Sequence, residues 1–235
     1  MFNKSGAYVL ITLLVTSGCF SQTNQVDSIW NSYLQSLGSA EKIKDLQTLY
    51  YESVTTSGDG ISKEKVTLKY PDKVKYELSR PDGSTETIII NGKIGVLVVD
   101  NDTTALNPSI FCRFQNSGLI FPELYFKELG YQFSQVYSEN DNGRVNILVE
   151  NGCIDLVYVF EERTSKLIEI NPNEYELKIL VQEVKMIEGI RFVTKTKSIQ
   201  ENKSSITVHQ NYRLNQDIPD SVFETKTAAN KTYKQ

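Results

Sequence analysis

Few residues of this 235-residue chain are of the types that perform acid–base or nucleophilic chemistry. The single histidine, His209, stands in a predicted strand between Val208 and Gln210. No Gly-x-Ser-x-Gly elbow, phosphate-binding loop or dinucleotide fingerprint occurs. We therefore interpret His209 as an exposed strand residue, and we expect neither enzymatic activity nor a cofactor.

Two acidic groups are the remaining candidates for chemistry. Asp-Asn-Asp at 100–102 offers oxygen ligands for a calcium ion but lacks the glycine and distal glutamate of a calcium loop, so we interpret it as a turn. Glu161 and Glu162 are two carboxylates, as a glycosidase requires, but they fall at the end of a predicted strand. We therefore interpret them as solvated residues of a hairpin corner. Without a second histidine, a metal site would need carboxylates alone, and we expect none.

Two of the three cysteines, Cys112 and Cys153, lie in the body of the chain, 41 residues apart. In an oxidising compartment they can form a disulfide, which would add about 4 kcal/mol in the chain-entropy model. They can equally remain two buried thiols, because the sequence does not place their Cα atoms within bonding distance. Both alternatives stay open.

The first 21 residues are interpreted as a secretory signal peptide. Lys4 precedes an uninterrupted apolar run from Ala7 to Val15, which is too short for a bilayer span of about 20 residues. We favour cleavage after Ser21, which leaves a freely diffusing exported protein. The alternative is that Cys19, in Ser-Gly-Cys, is lipidated as in a bacterial lipobox and anchors the protein.

The rest of the chain is expected to form one domain, residues 22–224, followed by a disordered tail, residues 225–235, that is rich in Lys, Thr, Asn and Ala. No linker or composition shift divides that domain. The formal net charge is −4 with the basic residues scattered among acidic ones, so we expect no nucleic-acid partner.

Apolar spacing predicts two helices, Asp27–Leu37 and Ala40–Leu46, followed by a long antiparallel meander. From Thr48 the period is two, and turn residues recur every eight to twelve positions. The twelve predicted strands are Leu49–Thr56, Ile61–Tyr70, Val74–Arg80, Thr85–Ile90, Lys93–Val99, Tyr131–Ser138, Arg144–Glu150, Cys153–Glu161, Lys166–Asn171, Tyr175–Met186, Ile190–Ile199 and Ser204–Asn215.

The interval from Asp100 to Gly130 breaks this rhythm. It contains a polar turn at Asn107-Pro108, but the interval as a whole is too apolar for a solvated loop. Proline at 122, in the first turn, and glycine at 130, after the last, predict a helix over 121–129. We expect the interval to pack on the apolar, concave face of the sheet.

Strand alternation gives that sheet one apolar face. The face is predicted to line a cavity for an acyl chain, although the helices and the interval can also fill it completely. The residues predicted to line the cavity are Val66, Leu68, Tyr70, Val74, Tyr76, Leu78, Ile88, Ile90, Phe121, Leu124, Leu156, Tyr158 and Phe160.

Four short motifs occur in order along the chain: a helical entry at Tyr33–Ile43, a strand–Pro–strand corner at Leu68–Tyr76, a hairpin at Ile90–Lys93 and, after Leu-Asn at 214–215, an ending at Ile218–Phe223. In this order they resemble the LolA-like proteins, which carry lipoproteins or lipids across the periplasm of Gram-negative bacteria. The helical entry is similar to that of Bacteroidetes-type members, and the other three motifs resemble the family's corner, hairpin and ending.

The resemblance implies a mostly β fold: a single, strongly curved antiparallel sheet, or incomplete barrel, with helices covering its open side. It also implies a periplasmic location and acyl chains of lipids or lipoproteins as ligands, with a membrane receptor or surface as a further partner and a monomeric state. If Cys19 is lipidated, the location becomes the outer membrane. The family's best-studied carriers have arginine before the corner proline, where this chain has Tyr70, so the carrier cycle does not transfer.

The leading hypothesis is therefore a non-catalytic periplasmic protein that binds lipids or lipoproteins and carries acylated ligands between membranes. The alternative is an envelope sensor or interaction module, in which the same scaffold has a filled core.

Overall fold

The computed structural model describes residues 25–136, 143–172 and 176–224. The predicted signal peptide, including Cys19 and Ser21, and the predicted tail lie outside the described residues. Within the described part of the chain, no helix is long and apolar enough to cross a membrane.

Two helices open the described chain: α1 at residues 25–36 and α2 at Ala40–Lys44. The apolar residues of α1 recur every three or four positions, so they share one face of the helix, and Trp30 on that face is only 1% exposed. Gly38, at φ 137°, ends this region and pairs with Ile190. Both predicted helices are confirmed, within a few residues at their ends.

Thirteen strands follow, and all of them belong to one antiparallel sheet. They are β1 Thr48–Ser57, β2 Gly60–Lys69, β3 Lys73–Ser79, β4 Thr85–Asn91, β5 Ile94–Val99, β6 Asp102–Ala105, β7 Gln132–Val136, β8 Arg144–Glu150, β9 Asp155–Glu161, β10 Lys166–Pro172, β11 Leu177–Ile187, β12 Ile190–Gln200 and β13 Lys203–Leu214.

The strand order is β6-β5-β4-β3-β2-β1-β13-β12-β11-β10-β9-β8-β7. The meander therefore starts in the middle of the sheet at β1, runs out to β6, and returns from the opposite edge, β7, to β13. Because β6 and β7 do not pair, the sheet is not closed into a barrel. The predicted fold class is confirmed.

One strand, β6, was not predicted. Asp100 and Asn101 both have positive φ, which is the backbone of the tight two-residue turn that joins hairpin strands. Residues 100–102 thus belong to a hairpin turn, as interpreted from the sequence. Asp102 is the first residue of β6, which pairs with β5.

The prediction of a helix over 121–129 is wrong. Only Pro122–Leu124 form a short 3-10 helix, and turns continue to residue 130. The α-helix of this region is α3, Pro108–Phe114, where a turn was expected. Its start has a local cause: the Asn107 side chain accepts a hydrogen bond from the Ser109 N–H, and proline occupies the first turn.

The segment between β6 and β7, residues 106–131, is called here the connecting segment. It joins the two free edges of the sheet and packs on the face that carries the apolar core, called here the inner face. Phe111 lies against Gly95 of β5, and the rings of Phe114 and Tyr76 are 6.1 Å apart.

Candidate functional site

The residues predicted to line a cavity mostly lie in the packed core of the inner face. Four of the thirteen, Tyr76, Ile88, Leu124 and Leu156, are partly buried against that core, and Leu78 is half-buried. The buried ones are Val66, Leu68, Val74, Ile90, Phe121, Tyr158 and Phe160. Whether acyl chains enter among them stays a prediction.

Tyr70 differs from the other predicted residues because it is 37% exposed. It lies at the β2–β3 corner, beside Tyr125 of the connecting segment. Burial, and then the neighbouring Tyr70 side chain, raise the pKa of the Tyr125 hydroxyl. Tyr70 thus contacts the segment that covers the inner face.

An aromatic cluster around Trp30 fills the inner face at β7 to β9. The Trp30 ring centroid lies 5.0 Å from that of Phe133, 5.1 Å from Tyr158, 6.1 Å from Phe126 and 6.2 Å from Phe160. Such ring pairs add to the large apolar area that each ring buries. Helix α1 and the connecting segment therefore occupy this part of the face together.

A carboxyl group lies beside this cluster. The Oε2 atom of Glu123 is buried and has no hydrogen-bond partner among the described residues. Burial raises the pKa of the Glu123 carboxyl. Burial also raises the pKa of the Tyr33 and Tyr158 hydroxyls, and the nearby Glu123 carboxyl is a second, smaller cause of that increase. Because an unpaired buried carboxylate is costly, the neutral form is favoured here.

Cys112 of α3 and Cys153 of the β8–β9 turn form a disulfide, with Cα atoms 5.8 Å apart. The Asn151 side chain shapes that turn by accepting hydrogen bonds from the N–H groups of Cys153 and Ile154. Helix α3 packs on β5, near one edge of the sheet, whereas β8 lies next to β7 at the opposite edge. The disulfide therefore links the two halves of the sheet across its open side.

The sheet is split between β10 and β11. Only two residue pairs, Glu169–Leu180 and Ile170–Ile179, join these strands within the described residues. Beyond Leu180, β11 continues paired with β12 but not with β10 in the described chain, and its pairing with β12 has register shifts at Val181–Val184. The split leaves an open groove of about 650 Å³.

Helix α1 forms the floor of this groove, and the two hairpins form its walls. Val184 and Met186, which line it, are 41% and 57% exposed. The lining residues are Tyr33, Ser36, Leu37, Glu161, Thr164, Ser165, Lys166, Leu167, Val181, Gln182, Val184, Lys185, Met186, Arg191 and Val193.

None of these residues was predicted as a binding residue. The signal available in the sequence was the apolar alternation of Val184 and Met186 within β11. That pattern also fits an ordinary half-buried strand, so it did not single out the groove.

The remaining candidates offer little chemistry. His209 is half-buried on the inner face, not exposed as expected; its Nδ1 lies 2.8 Å from the Ser53 Oγ, and burial lowers its pKa. Ser53 is buried, and no carboxylate among the described residues bonds His209, so the pair lacks the third member of a triad. Glu161 and Glu162 lie at the β9–β10 corner, as predicted.

In the part of the chain that the structure describes, no group of three or more His, Cys, Asp or Glu side chains could hold a metal ion.

Comparisons with known proteins identify the fold. No family model and no curated protein matches the sequence. A DUF1329 family protein from Desulfovibrio piger has a similar structure, with a TM-score of 0.57 and 14% identity, covering 87% of this chain and 98% of that one. A LolA superfamily protein from Nitrosomonas europaea gives a TM-score of 0.56 and 12% identity, with 85% and 97% coverage.

A third structure, described as an outer membrane lipoprotein-sorting protein domain from Vibrio parahaemolyticus, gives a TM-score of 0.50 and 9% identity, with 78% and 92% coverage. Together these likenesses define a LolA-like fold: one open antiparallel sheet with helices on its inner face. The resemblance seen in the sequence motifs is confirmed for the fold.

Proposed function

We propose that this protein binds a lipid or the acyl chains of a lipoprotein, without catalysing a reaction. The observation that carries the proposal is the groove at the β10–β11 split, whose lining combines the exposed side chains of Val184 and Met186 with the apolar residue Leu37. Covering such side chains with an acyl chain yields about 0.8 kcal/mol for each methylene removed from water. The volume of the groove falls within the range of small-molecule sites.

A periplasmic location, and a role in carrying the ligand between membranes, belong to the same proposal. They rest on the predicted signal peptide and on the LolA-like fold. Labelling with a fatty-acid analogue, compared with Cys19→Ala, tests whether the protein is soluble or anchored: we expect equal, background labelling of both.

The test of binding is native mass spectrometry and lipid extraction of protein purified from a Gram-negative envelope. We expect a lipid adduct in the native protein and its loss in Val184→Trp, which fills the groove. Val208→Trp is the matched control, because Val208 is 39% exposed but lies on β13, away from the groove. Lipid-free wild-type protein, or equal adducts in both variants, would contradict the proposal.

A second candidate, an envelope sensor or interaction module, is favoured by the aromatic packing around Trp30, which brings the protein's own side chains against Tyr158 and Phe160 of the predicted cavity lining. Here an outer surface would bind a protein partner. Crosslinking in the envelope followed by pull-down, with Tyr70→Ala compared with the wild type, tests it. A partner captured by lipid-free wild-type protein and lost in the variant would support this candidate over the first.

A further inference from the structure

The groove at the β10–β11 split has a charge pattern that differs from the rest of the molecule. Its lining includes three basic residues, Lys166, Lys185 and Arg191, and a single carboxylate, Glu161, among the described residues. The whole chain, in contrast, has a formal net charge of −4. The groove is therefore a locally cationic site on an acidic protein.

Two of these cations are not neutralised by ion pairs. Lys185 contacts Glu183 at 3.2 Å, but neither Lys166 nor Arg191 forms a salt bridge within the described residues. Glu161 lies opposite Lys166 in the strand register, yet its carboxylate accepts a hydrogen bond from the Thr164 hydroxyl. Glu161 keeps its negative charge on the strand opposite Lys166, whereas Arg191 is opposite the uncharged Met186. Arg191 is therefore the main cation of the groove that is open to a ligand, and Lys166 adds a second one.

Strand alternation places these charges on the outer side of the sheet. Leu167 is buried on the inner face, so its neighbour Lys166 points to the outer side. Arg191 lies between the buried residues Ile190 and Phe192 and points outward in the same way. Met186 is paired with Arg191 in the strand register, so this exposed apolar side chain lies on the same side as Arg191. The groove therefore has cationic and apolar side chains together at its outer rim, and Leu37 at its floor.

We propose that the groove binds a single-chain lipid with an anionic oxygen head group, the chain lying along Leu37, Val184 and Met186 and the head group contacting Lys166 and Arg191. This inference rests on the proposed function and specifies its ligand class. Charge-assisted bonds from ammonium and guanidinium groups to carboxylate or phosphate oxygens favour such a head group over a neutral or cationic one. A neutral acyl ester would use only the apolar part of the groove.

The test compares matched twelve-carbon ligands by titration calorimetry with the full mature chain, below their micelle concentrations. Laurate and dodecyl phosphate carry anionic heads, monolauroylglycerol is neutral, and dodecyltrimethylammonium is cationic. We expect the two anionic ligands to bind at least tenfold more tightly than the neutral one, and the cationic one to bind most weakly. Raising the salt concentration should weaken only the anionic ligands.

Lys166→Gln combined with Arg191→Gln should bring laurate binding down to the level of monolauroylglycerol and leave the neutral ligand unaffected. The control is Lys93→Gln with Lys178→Gln, two exposed lysines outside the groove. Acetate and inorganic phosphate, which supply the head group alone, should not bind at the same concentrations.

The outcomes separate the two proposals. If no twelve-carbon ligand binds, the proposed function itself fails. If the neutral ligand binds as tightly as laurate, or the double variant binds laurate normally, the anionic specificity is overturned while lipid binding stands. Acetate binding as tight as laurate binding would overturn the role of the acyl chain.

Discussion

At the scale of single residues, two carboxyl groups should change the stability of the fold with pH in opposite directions, because their surroundings differ. The Oε2 atom of Glu123 is buried and has no hydrogen-bond partner in the described part of the chain, whereas Asp220 is exposed between two lysines. Burial disfavours the charged form of a carboxyl, and neighbouring cations favour it. Each group therefore makes its own contribution to the pH dependence of folding.

The buried carboxyl should make the protein less stable as the pH rises. Burial raises the pKa of Glu123 in the folded state, so the folded protein holds this proton more tightly than the unfolded chain does, where the pKa is about 4.3. Glu123→Gln should therefore match the wild type near pH 4 and be the more stable protein at pH 7. Urea unfolding at pH 4, 5.5 and 7 measures the difference.

The control for this comparison is Glu128→Gln, an exposed glutamate of the same segment, which should change stability little at any of the three pH values. A stability difference between Glu123→Gln and the wild type that does not vary with pH would show that the carboxyl is not buried in a neutral form.

Asp220 should act in the reverse direction. Its oxygens lie 2.6 Å from the Lys69 and Lys73 ammonium groups, and these hydrogen bonds lower its pKa to about 2. The unfolded value is about 3.9, so the stabilising contribution is present above that pH and is lost as the pH falls towards 2. The stability advantage of the wild type over Asp220→Asn should shrink across this interval.

Acid titration of folding, followed by circular dichroism at low and high salt, measures this effect for Asp220. Salt should reduce the advantage because all three side chains are at least partly exposed. Asp217→Asn, an exposed neighbour, is the control. An advantage of the wild type that persists unchanged at pH 2 would argue against this ion-paired role.

At the scale of elements, the connecting segment is held by close backbone contact as well as by apolar packing. Gly118 lies so near the β2–β3 corner that an added Cβ would be 2.8 Å from both the Asp72 Cα and the Lys73 nitrogen. Backbone atoms at that distance cannot move aside cheaply. The docking of the segment therefore depends on a residue without a side chain.

Gly118→Ala should destabilise the protein by about 1–3 kcal/mol, the usual cost of overpacking a fitted contact. Gly58→Ala is the matched control, because a Cβ there meets no atom within 4 Å. Denaturant unfolding of both variants measures the free energies. Equal stability of the two alanine variants would mean that the segment does not rest on this corner.

Prediction of the elements from sequence succeeded where the signals are local. Strand boundaries follow from period-two patterns and from turn residues, so Arg144–Glu150 was located without error. The strand Asp102–Ala105 was missed because it has no apolar alternation and exists through its pairing with β5. The helix expected at 121–129 does not form: the chain enters this region from Ile120 at φ 65°, and its apolar residues pack from a short 3-10 helix and turns.

At the scale of the whole molecule, the disulfide crosses the open side of the sheet. It ties α3, at the end of the chain's first half, to the turn between β8 and β9 near the other edge. The connecting segment is thus attached to both halves of the sheet, once through the chain and once through the Cys112–Cys153 bond.

Replacing both cysteines, Cys112→Ser with Cys153→Ser, should lower the free energy of unfolding by about 4 kcal/mol, the chain-entropy value for closing a loop of this length. The cysteines are 41 residues apart in sequence. Guanidinium unfolding of the oxidised wild type, the reduced wild type and the double variant measures the effect. The last two should agree, and an oxidised protein no more stable than they are would refute the prediction.

The sequence alone determined the meander, twelve of its strands, the helices at the amino-terminal side and the apolar character of one sheet face, because these depend on residues close together along the chain. Tertiary structure decided which side chains fill that face and where it opens. Glu123 meets Tyr33 and Tyr158 only through packing, and the groove exists because the β10–β11 pairing stops at Glu169–Leu180. Register shifts and side-chain packing link distant residues, so local patterns do not specify them.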